Sequence, residues 1–268
     1  MVENDLESIQ NEFESLIPSE RKRFFEAFFT AAMGSIPWVG GFISAMSQFF
    51  LDKDEAMKDN LQTKWMQEHL RKIKLLEETL NNIEDRFNRI GEQISDRIQS
   101  EDYLDLVRKS FRVWDNADTD EKRKYVANLI TNACATELAS DDVVRLFIDW
   151  LNNYHEAHFA VIREIFNKPG VTRYAIWKSI KGEFPREDSA EADLFKMLIR
   201  DLSTGGVIRQ KREVTSNGQF IKRQTKTHST PSGIIESAFE DSKPYELTEL
   251  GRQFVHYAIT DIVPRISQ

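Results

Sequence analysis

Apolar residues are concentrated in one stretch of the chain, from Phe24 to Leu51. Glu26 is the only charged residue of this stretch, although 30% of the whole chain is charged. Pro37 lacks the backbone N–H that a continuing helix needs, and the glycines around it relax the backbone further. The pattern therefore predicts a helical hairpin over residues 24–51, with one arm that ends near Met33, a loop over residues 34–41 and a second arm from Phe42.

Two interpretations of this hairpin remain open. Each arm has about ten apolar residues, which is too few to cross a bilayer alone but enough for a buried core helix. In the first interpretation the hairpin packs inside a helical bundle. In the second it leaves the bundle and enters a membrane, because its small residues suit close helix contacts in lipid and Trp38 suits an interface. The candidate membrane residues are Phe28, Phe29, Ala32, Gly34, Pro37, Trp38, Gly40, Gly41 and Ser44.

A continuous helix is predicted over residues 53–100, which contain no proline and only one glycine, Gly91. Apolar positions recur there at alternating spacings of three and four, over roughly three heptads. Such a seam is satisfied either by packing along its own bundle or by self-association in a coiled coil. The residues of the seam, which are the candidates for oligomerisation, are Ile73, Leu76, Leu80, Ile83, Phe87, Ile90 and Ile94.

Further amphipathic helices complete a predicted N-terminal helical domain, residues 1–152. One short helix is expected over residues 4–16, where Leu6, Ile9, Phe13 and Leu16 share a face. Later helices are expected over residues 103–114, 120–136 with Thr119 as the N-cap, and from Ser140 onward.

The pattern of predicted elements changes at about residue 153, which predicts a second domain, residues 153–268. The expected order is a helix from Tyr154, short helices over 171–181 and 189–203, a strand over 207–214, a returning strand over 220–226 and a closing helix over 247–257. Ser216-Asn217-Gly218 supplies the turn signal of the hairpin. This order predicts a winged-helix domain with its wing over 207–226, so the fold class is mainly α.

The charge of the chain is uneven. The net charge is −8, which argues against a general nucleic-acid coat, but residues 171–230 hold 12 Lys and Arg against 7 Asp and Glu. The helix that would enter a DNA groove begins with acids at Glu191 and Asp193, whereas the wing is basic. The candidate nucleic-acid residues are Lys196, Arg200, Arg209, Lys211, Arg212, Lys222, Arg223 and Lys226.

No sequence motif for catalysis, for a cofactor or for a small-molecule substrate occurs in the chain. His155 and His158 lie three apart on a predicted helix, but no third metal ligand accompanies them, so no metal site is expected. The single cysteine, Cys134, lies in an apolar helix and is compatible with a reducing compartment, which favours a cytoplasmic protein.

Three short sequence segments occur in an order that resembles a known family. They are Ile36-Pro-Trp-Val-Gly-Gly41, the run from Asp118 to Ala133, and Leu247-Thr-Glu-Leu-Gly-Arg-Gln-Phe254. The layout resembles bacterial proteins of the abortive-infection-alpha type, which are linked to phage defence. The resemblance implies a non-enzymatic defence role that acts at a membrane, and it supplies no catalytic residues.

The leading expectation is a non-enzymatic effector whose apolar hairpin is buried at rest and associates with membrane on activation. The alternative is a dimeric winged-helix protein that binds DNA or serves as an adaptor for a protein partner. An enzyme without a recognisable motif is the third class.

Overall fold

The computed structural model describes residues 25–42, 44, 60–136, 138–212, 215–217, 219 and 237–260, without the side chains of 60–68, 70 and 92. The chain divides into two compact units. The first unit is Met1–Asn153 together with Tyr257–Gln268, and the second unit is Tyr154–His256. The sequence analysis placed the boundary at almost the same residue but assigned all later residues to the second domain. Tyr257 to Thr260 instead belong to the first unit.

The first unit is a bundle of helices, which confirms the prediction of a mainly helical chain. Helix α4 is central, because α1, α3, α5 and α6 all pack against it, and α2 packs against α5. The helices are α1 (Glu26–Gly34), α2 (Asn60–Ile90), α3 (Ser95–Gln99), α4 (Glu101–Asp115), α5 (Asp120–Ala135) and α6 (Asp141–Asn153).

The break in the apolar stretch is shorter than predicted. Only Ser35 and Ile36 interrupt the helical conformation, and residues 37–42 are helical again. Pro37 therefore opens the second helical run instead of lying in a loop. Its fixed φ suits the first helical position, where its missing N–H costs nothing. The Ser35 hydroxyl donates to the Ala32 carbonyl (2.7 Å) and satisfies one of the groups at the end of α1.

The prediction of one continuous helix over residues 53–100 is wrong, because the helix stops at Ile90. Gly91 has φ +84°, a conformation that glycine adopts without strain, and a 3₁₀ turn (Glu92–Ile94) separates α2 from α3. Residues 53–59 of the predicted helix lie outside the described part of the chain.

The apolar seam of α2 and the turn that follows is covered by the chain itself. Six of its seven members are at most 3% exposed: Ile73, Leu76, Leu80, Ile83, Phe87 and Ile94. Ile90 is half-buried. This burial explains the apolar seam by packing within its own bundle. Self-association through the seam stays a prediction, and it would require these residues to become exposed.

The described part of the second unit contains four helices and a short three-stranded antiparallel sheet. The central strand is β3, and it pairs with both β1 and β2. Helix α7 packs against α8, α9 and β3. In chain order the elements are α7 (Glu156–Asn167), β1 (Val171–Thr172), α8 (Arg173–Ile180), α9 (Ala190–Thr204), β2 (Ile208–Gln210), β3 (Pro244–Leu247) and α10 (Glu249–Phe254).

Two predictions for the second unit need correction. Val171 and Thr172 form a strand instead of the first turn of a helix, and Thr172 caps α8 by accepting from the Ala175 N–H. Leu247 ends β3, so the closing helix begins later than predicted. The partner of β2 is β3, whereas the predicted partner strand over 220–226 lies outside the described residues.

A close backbone approach joins β2 to α10. Thr248 caps α10 and donates to the Gly206 carbonyl (2.6 Å), while its N–H donates to the Val207 carbonyl. A Cβ on Gly251 would lie 2.2 Å from the Val207 carbonyl oxygen, so the contact requires glycine at this position.

Candidate functional site

The inner face of the apolar segment, residues 25–44, packs into the core of the first unit. Phe28 is 1% exposed, and its ring meets Phe29, Phe87 and Phe111 edge-on at 5.3–6.1 Å between centroids. Ala32 is fully buried. Of the candidate membrane residues, Phe28, Phe29 and Ala32 are therefore packed inside the bundle.

The outer face of the same segment is exposed but carries no charge beyond Glu26. Its members are small or weakly polar, and they follow one another along the two helical runs. They are Thr30, Gly34, Pro37, Gly40, Gly41 and Ser44. A surface helix of a globular protein ordinarily presents charged and polar residues on its solvent face, so this neutral face is unusual.

Trp38 was predicted to lie in a loop. It lies instead in a helical run, where it is held in a polar cluster. Its indole N–H donates to Asp115 Oδ1 (2.7 Å), and the Lys72 ammonium lies 3.6 Å from the same carboxylate oxygen. Lys72 also lies over the Trp38 ring at 5.8 Å, and the His69 ring is 5.3 Å away. This cluster ties the second helical run to α2 and α4.

Two buried asparagines on α5 hold Tyr257 and Ala258 in the first unit. The side-chain amides of Asn128 and Asn132 donate to the carbonyls of Ala258 and Tyr257, at 3.0 Å and 2.9 Å. Tyr257 and Ala258 lie in a π-helical turn (Val255–Ile259). The Tyr257 hydroxyl accepts from the Ala139 N–H, also at 3.0 Å. The sequence signal was two amides four residues apart inside an apolar run, and the sequence analysis did not use it.

The cations proposed for nucleic-acid contact are largely paired with acids of the second unit. Arg209 Nε lies 2.8 Å from a Glu246 carboxylate oxygen, and Lys196 Nζ lies 3.6 Å from one of Glu187. Arg200 is three-quarters exposed beside Asp201. Lys211 and Arg212 are exposed, and the structure does not describe Lys222, Arg223 and Lys226.

Helix α9 presents an exposed apolar side chain next to two exposed acids. Leu194 is 49% exposed, and its neighbours Glu191 and Asp193 are exposed as well. These acids repel phosphate, but together with Leu194 they suit a partner that offers an apolar pocket and basic groups.

A buried histidine, His158, lies beside Tyr154 and Asp201 in the second unit. His158 Nδ1 accepts from the His155 N–H at 3.1 Å, so Nε2 carries the proton of the neutral ring. That nitrogen lies 3.9 Å from Asp201 Oδ2 without a hydrogen bond, and the ring stacks on Tyr154. Burial lowers the pKa of His158 despite the nearby Asp201 carboxylate, and burial raises the pKa of Tyr154 to about 12.

This histidine predicts a pH dependence of stability. The pKa of His158 is lower in the folded protein than in the unfolded chain, where it is about 6.5. As the pH falls below that value, His158 is protonated more readily in the unfolded chain, so the second unit should lose stability. His158→Gln keeps an acceptor at the third helical position, where a capping box places Gln. We expect this variant to lose less stability than the wild type between pH 7 and pH 5, as measured by denaturant unfolding at each pH.

The control for this measurement is His155→Gln, which changes an exposed histidine of the same helix. The charge of His155 helps to lower the pKa of His158, so this variant should reduce the pH slope, but by less than His158→Gln does. Burial also lowers the pKa of His256, so part of the slope should remain in the His158 variant. An identical slope in wild type and His158→Gln would contradict the assignment.

Metal binding and thiol chemistry are the other candidates in the part of the chain that the structure describes. No group of three His, Cys, Asp or Glu side chains there is arranged to hold a metal ion. Cys134 is a buried free thiol. Among the described helices, none combines the length and the apolar composition needed to cross a bilayer.

Comparison with known proteins gives no relative from which a function can be transferred. No family model, curated protein or solved structure matches this chain.

Proposed function

We propose that this protein is a non-enzymatic effector that stores an apolar segment, residues 25–44, in its bundle and releases it onto a membrane when triggered. The neutral outer face of that segment carries the proposal. A helix that only covers a core gains from charge on its solvent face, and charge on that face would oppose entry into lipid. From Ala27 to Phe42 the segment has no charged residue on either face.

The contacts of the segment support storage at rest. The inner face is covered by α2 and α4 through phenylalanine rings, and the cluster of Trp38, Asp115 and Lys72 closes its second run. Exposing this apolar surface costs about 25 cal/mol per Å², so release requires a trigger or a loosened bundle. The resemblance to abortive-infection-alpha proteins supports the same proposal, with action from the cytoplasm onto a membrane.

Dye release from anionic vesicles tests the proposal. Thr30→Asp adds one carboxylate to the exposed face, where it leaves the core intact. A carboxylate at mid-bilayer costs roughly 2.5–3.5 kcal/mol, so release should fall about tenfold or more. Ala32→Asp is unsuitable, because a carboxylate at a fully buried position would unfold the bundle.

The matched control is Asn82→Asp, which adds the same charge at an exposed position of α2. It should release dye like the wild type. Equal release by Thr30→Asp and wild type, or no release by any of the three proteins, would overturn the membrane proposal.

We also propose that the second unit is a winged-helix domain. Its order of helix, strand, two helices and two strands, with β3 between β1 and β2, supports this assignment. Leu194 next to the exposed Glu191 and Asp193 favours a protein partner, as in an adaptor, over DNA. Binding of DNA through the wing, or dimerisation of two such chains, would be the alternative function.

An electrophoretic shift assay at low salt tests the DNA alternative. If the wing binds DNA, the double variant Lys211→Glu/Arg212→Glu should abolish the shift, whereas Lys178→Glu, at an exposed position of α8, should weaken it much less. The absence of any shift by the wild type would leave the adaptor proposal in place.

A further inference from the structure

An open cleft lies beside the apolar segment in the first unit. Its volume is about 720 Å³, and one wall is the outer face of α1. The opposite wall comes from the end of α3 and from α4. The lining residues used below are Ala27, Thr30 and Ala31 on one side, and Leu104, Arg108 and Arg112 on the other. Small side chains on α1 leave room for a third element between the two helices.

The polar rim of the cleft is positive on the α4 side. Arg108 is neutralised by Glu101 and Asp105, at 2.7 Å and 2.5 Å. Arg112 is exposed, and within the described residues its guanidinium takes part in no ion pair or hydrogen bond. Glu26 lies on the α1 side of the cleft, so an acidic occupant is favoured only along the α4 wall.

One segment of the chain outside the described residues has the complementary chemistry. Residues 4–16 carry an apolar stripe, Leu6, Ile9, Phe13 and Leu16, and four acids, Asp5, Glu7, Glu12 and Glu14, with no basic residue. On a helix, Asp5 and Glu12 flank the stripe on the same edge. An apolar stripe with an acidic edge matches a cleft that places Ala27, Ala31 and Leu104 near Arg112.

The connection is long enough for this segment to reach the cleft. Eight residues, 17–24, separate it from Phe25, where the described chain begins one residue before α1. At up to about 3.5 Å per residue they reach roughly 28 Å, whereas α1 is only about 14 Å long. Ile17-Pro18 would end the segment's helix before this connection.

We infer that residues 4–16 dock as an amphipathic helix in the cleft between α1 and α4, with their acidic edge beside Arg112. The docked helix covers only the α1 part of the neutral face, because Pro37, Gly40, Gly41 and Ser44 do not line the cleft. This inference rests on the cleft and on charge complementarity, and it holds whether or not the apolar segment ever enters a membrane.

Hydrogen exchange of the full chain, read by mass spectrometry on peptides that cover residues 4–16, tests this inference. A helix of 13 residues is only marginally stable alone in water, so protection of its amides reports docking. We expect protection in the wild type and exchange about tenfold faster or more in Arg112→Glu. Arg71→Glu, which reverses an exposed charge on α2, should leave the exchange unchanged.

Rescue and dilution make the outcomes decisive. Glu12→Lys should restore protection when it is combined with Arg112→Glu. Rapid exchange in the wild type would overturn the inference, as would protection that Arg112→Glu leaves intact. Protection that is lost on dilution would assign the docked helix to a second copy of the chain, which also contradicts docking within one chain.

Discussion

Replacing Phe28 with alanine is expected to lower the free energy of unfolding of the first unit by about 3–5 kcal/mol. The side chain is 1% exposed and touches rings from its own helix, from α2 and from α4, so its removal leaves a cavity where three helices meet. Guanidinium unfolding followed by circular dichroism measures the loss. Thr30→Ala, on the exposed side of the same helix, should change stability by about 0.5 kcal/mol or less.

The same variant separates storage of the segment from a purely structural role. If the segment must unpack before it reaches a membrane, Phe28→Ala should release vesicle dye faster than the wild type, because the resting packing is weaker. A stability loss near that of Thr30→Ala would contradict the core position of the segment. A large loss without faster release would contradict its proposed role at the membrane.

Replacing Asn128 with alanine is expected to destabilise the first unit by about 2 kcal/mol, within the range for buried hydrogen-bonding groups that lose a partner. The Asn128 amide donates to the Ala258 carbonyl, and its oxygen accepts from the Arg86 guanidinium (2.5 Å). Alanine removes both bonds from a site that is fully buried. Denaturant unfolding of the full chain measures the loss.

Asn88→Ala is the matched control for this prediction, because Asn88 lies exposed on the outer face of α2. It should leave stability unchanged or raise it slightly, since alanine favours a helix. An equal effect of the two substitutions would contradict a stabilising contact between α5 and Ala258.

The helices that the sequence predicted well are those with a strong apolar period and a local cap. Helix α5 begins after Thr119, whose hydroxyl accepts from the Lys122 N–H as predicted, and α4 differs from its prediction by at most two residues at either end. In these elements the local signals and the burial favour the same conformation.

The misplaced boundaries depend on contacts that no local pattern shows. Strand β3 is four residues long, too short to show a period, and it exists because β1 and β2 pair with it. Pro37 was interpreted as a helix breaker, although proline equally suits the first position of a helix. Gly91 ends α2 because it adopts a positive φ, and the residues of the helix do not predict that conformation.

The candidate site was only half predictable for the same reason. The charge-free stretch marked the segment, but which of its faces is buried depends on α2 and α4. The partners of Trp38 lie 34 and 77 positions away in sequence, at Lys72 and Asp115. A polar cluster assembled across such separations becomes visible only in the folded chain.

The most direct test of the central claim is the environment of residue 44 in the presence of vesicles. Ser44→Cys in a Cys134→Ala background places one polarity-sensitive dye on the exposed face of the segment, and Asn88→Cys in the same background is the control. We expect a blue shift at position 44, with quenching by brominated lipid chains, and neither change at position 88. An unchanged spectrum at position 44 while the protein is bound to the vesicles would contradict the claim that this segment enters the membrane.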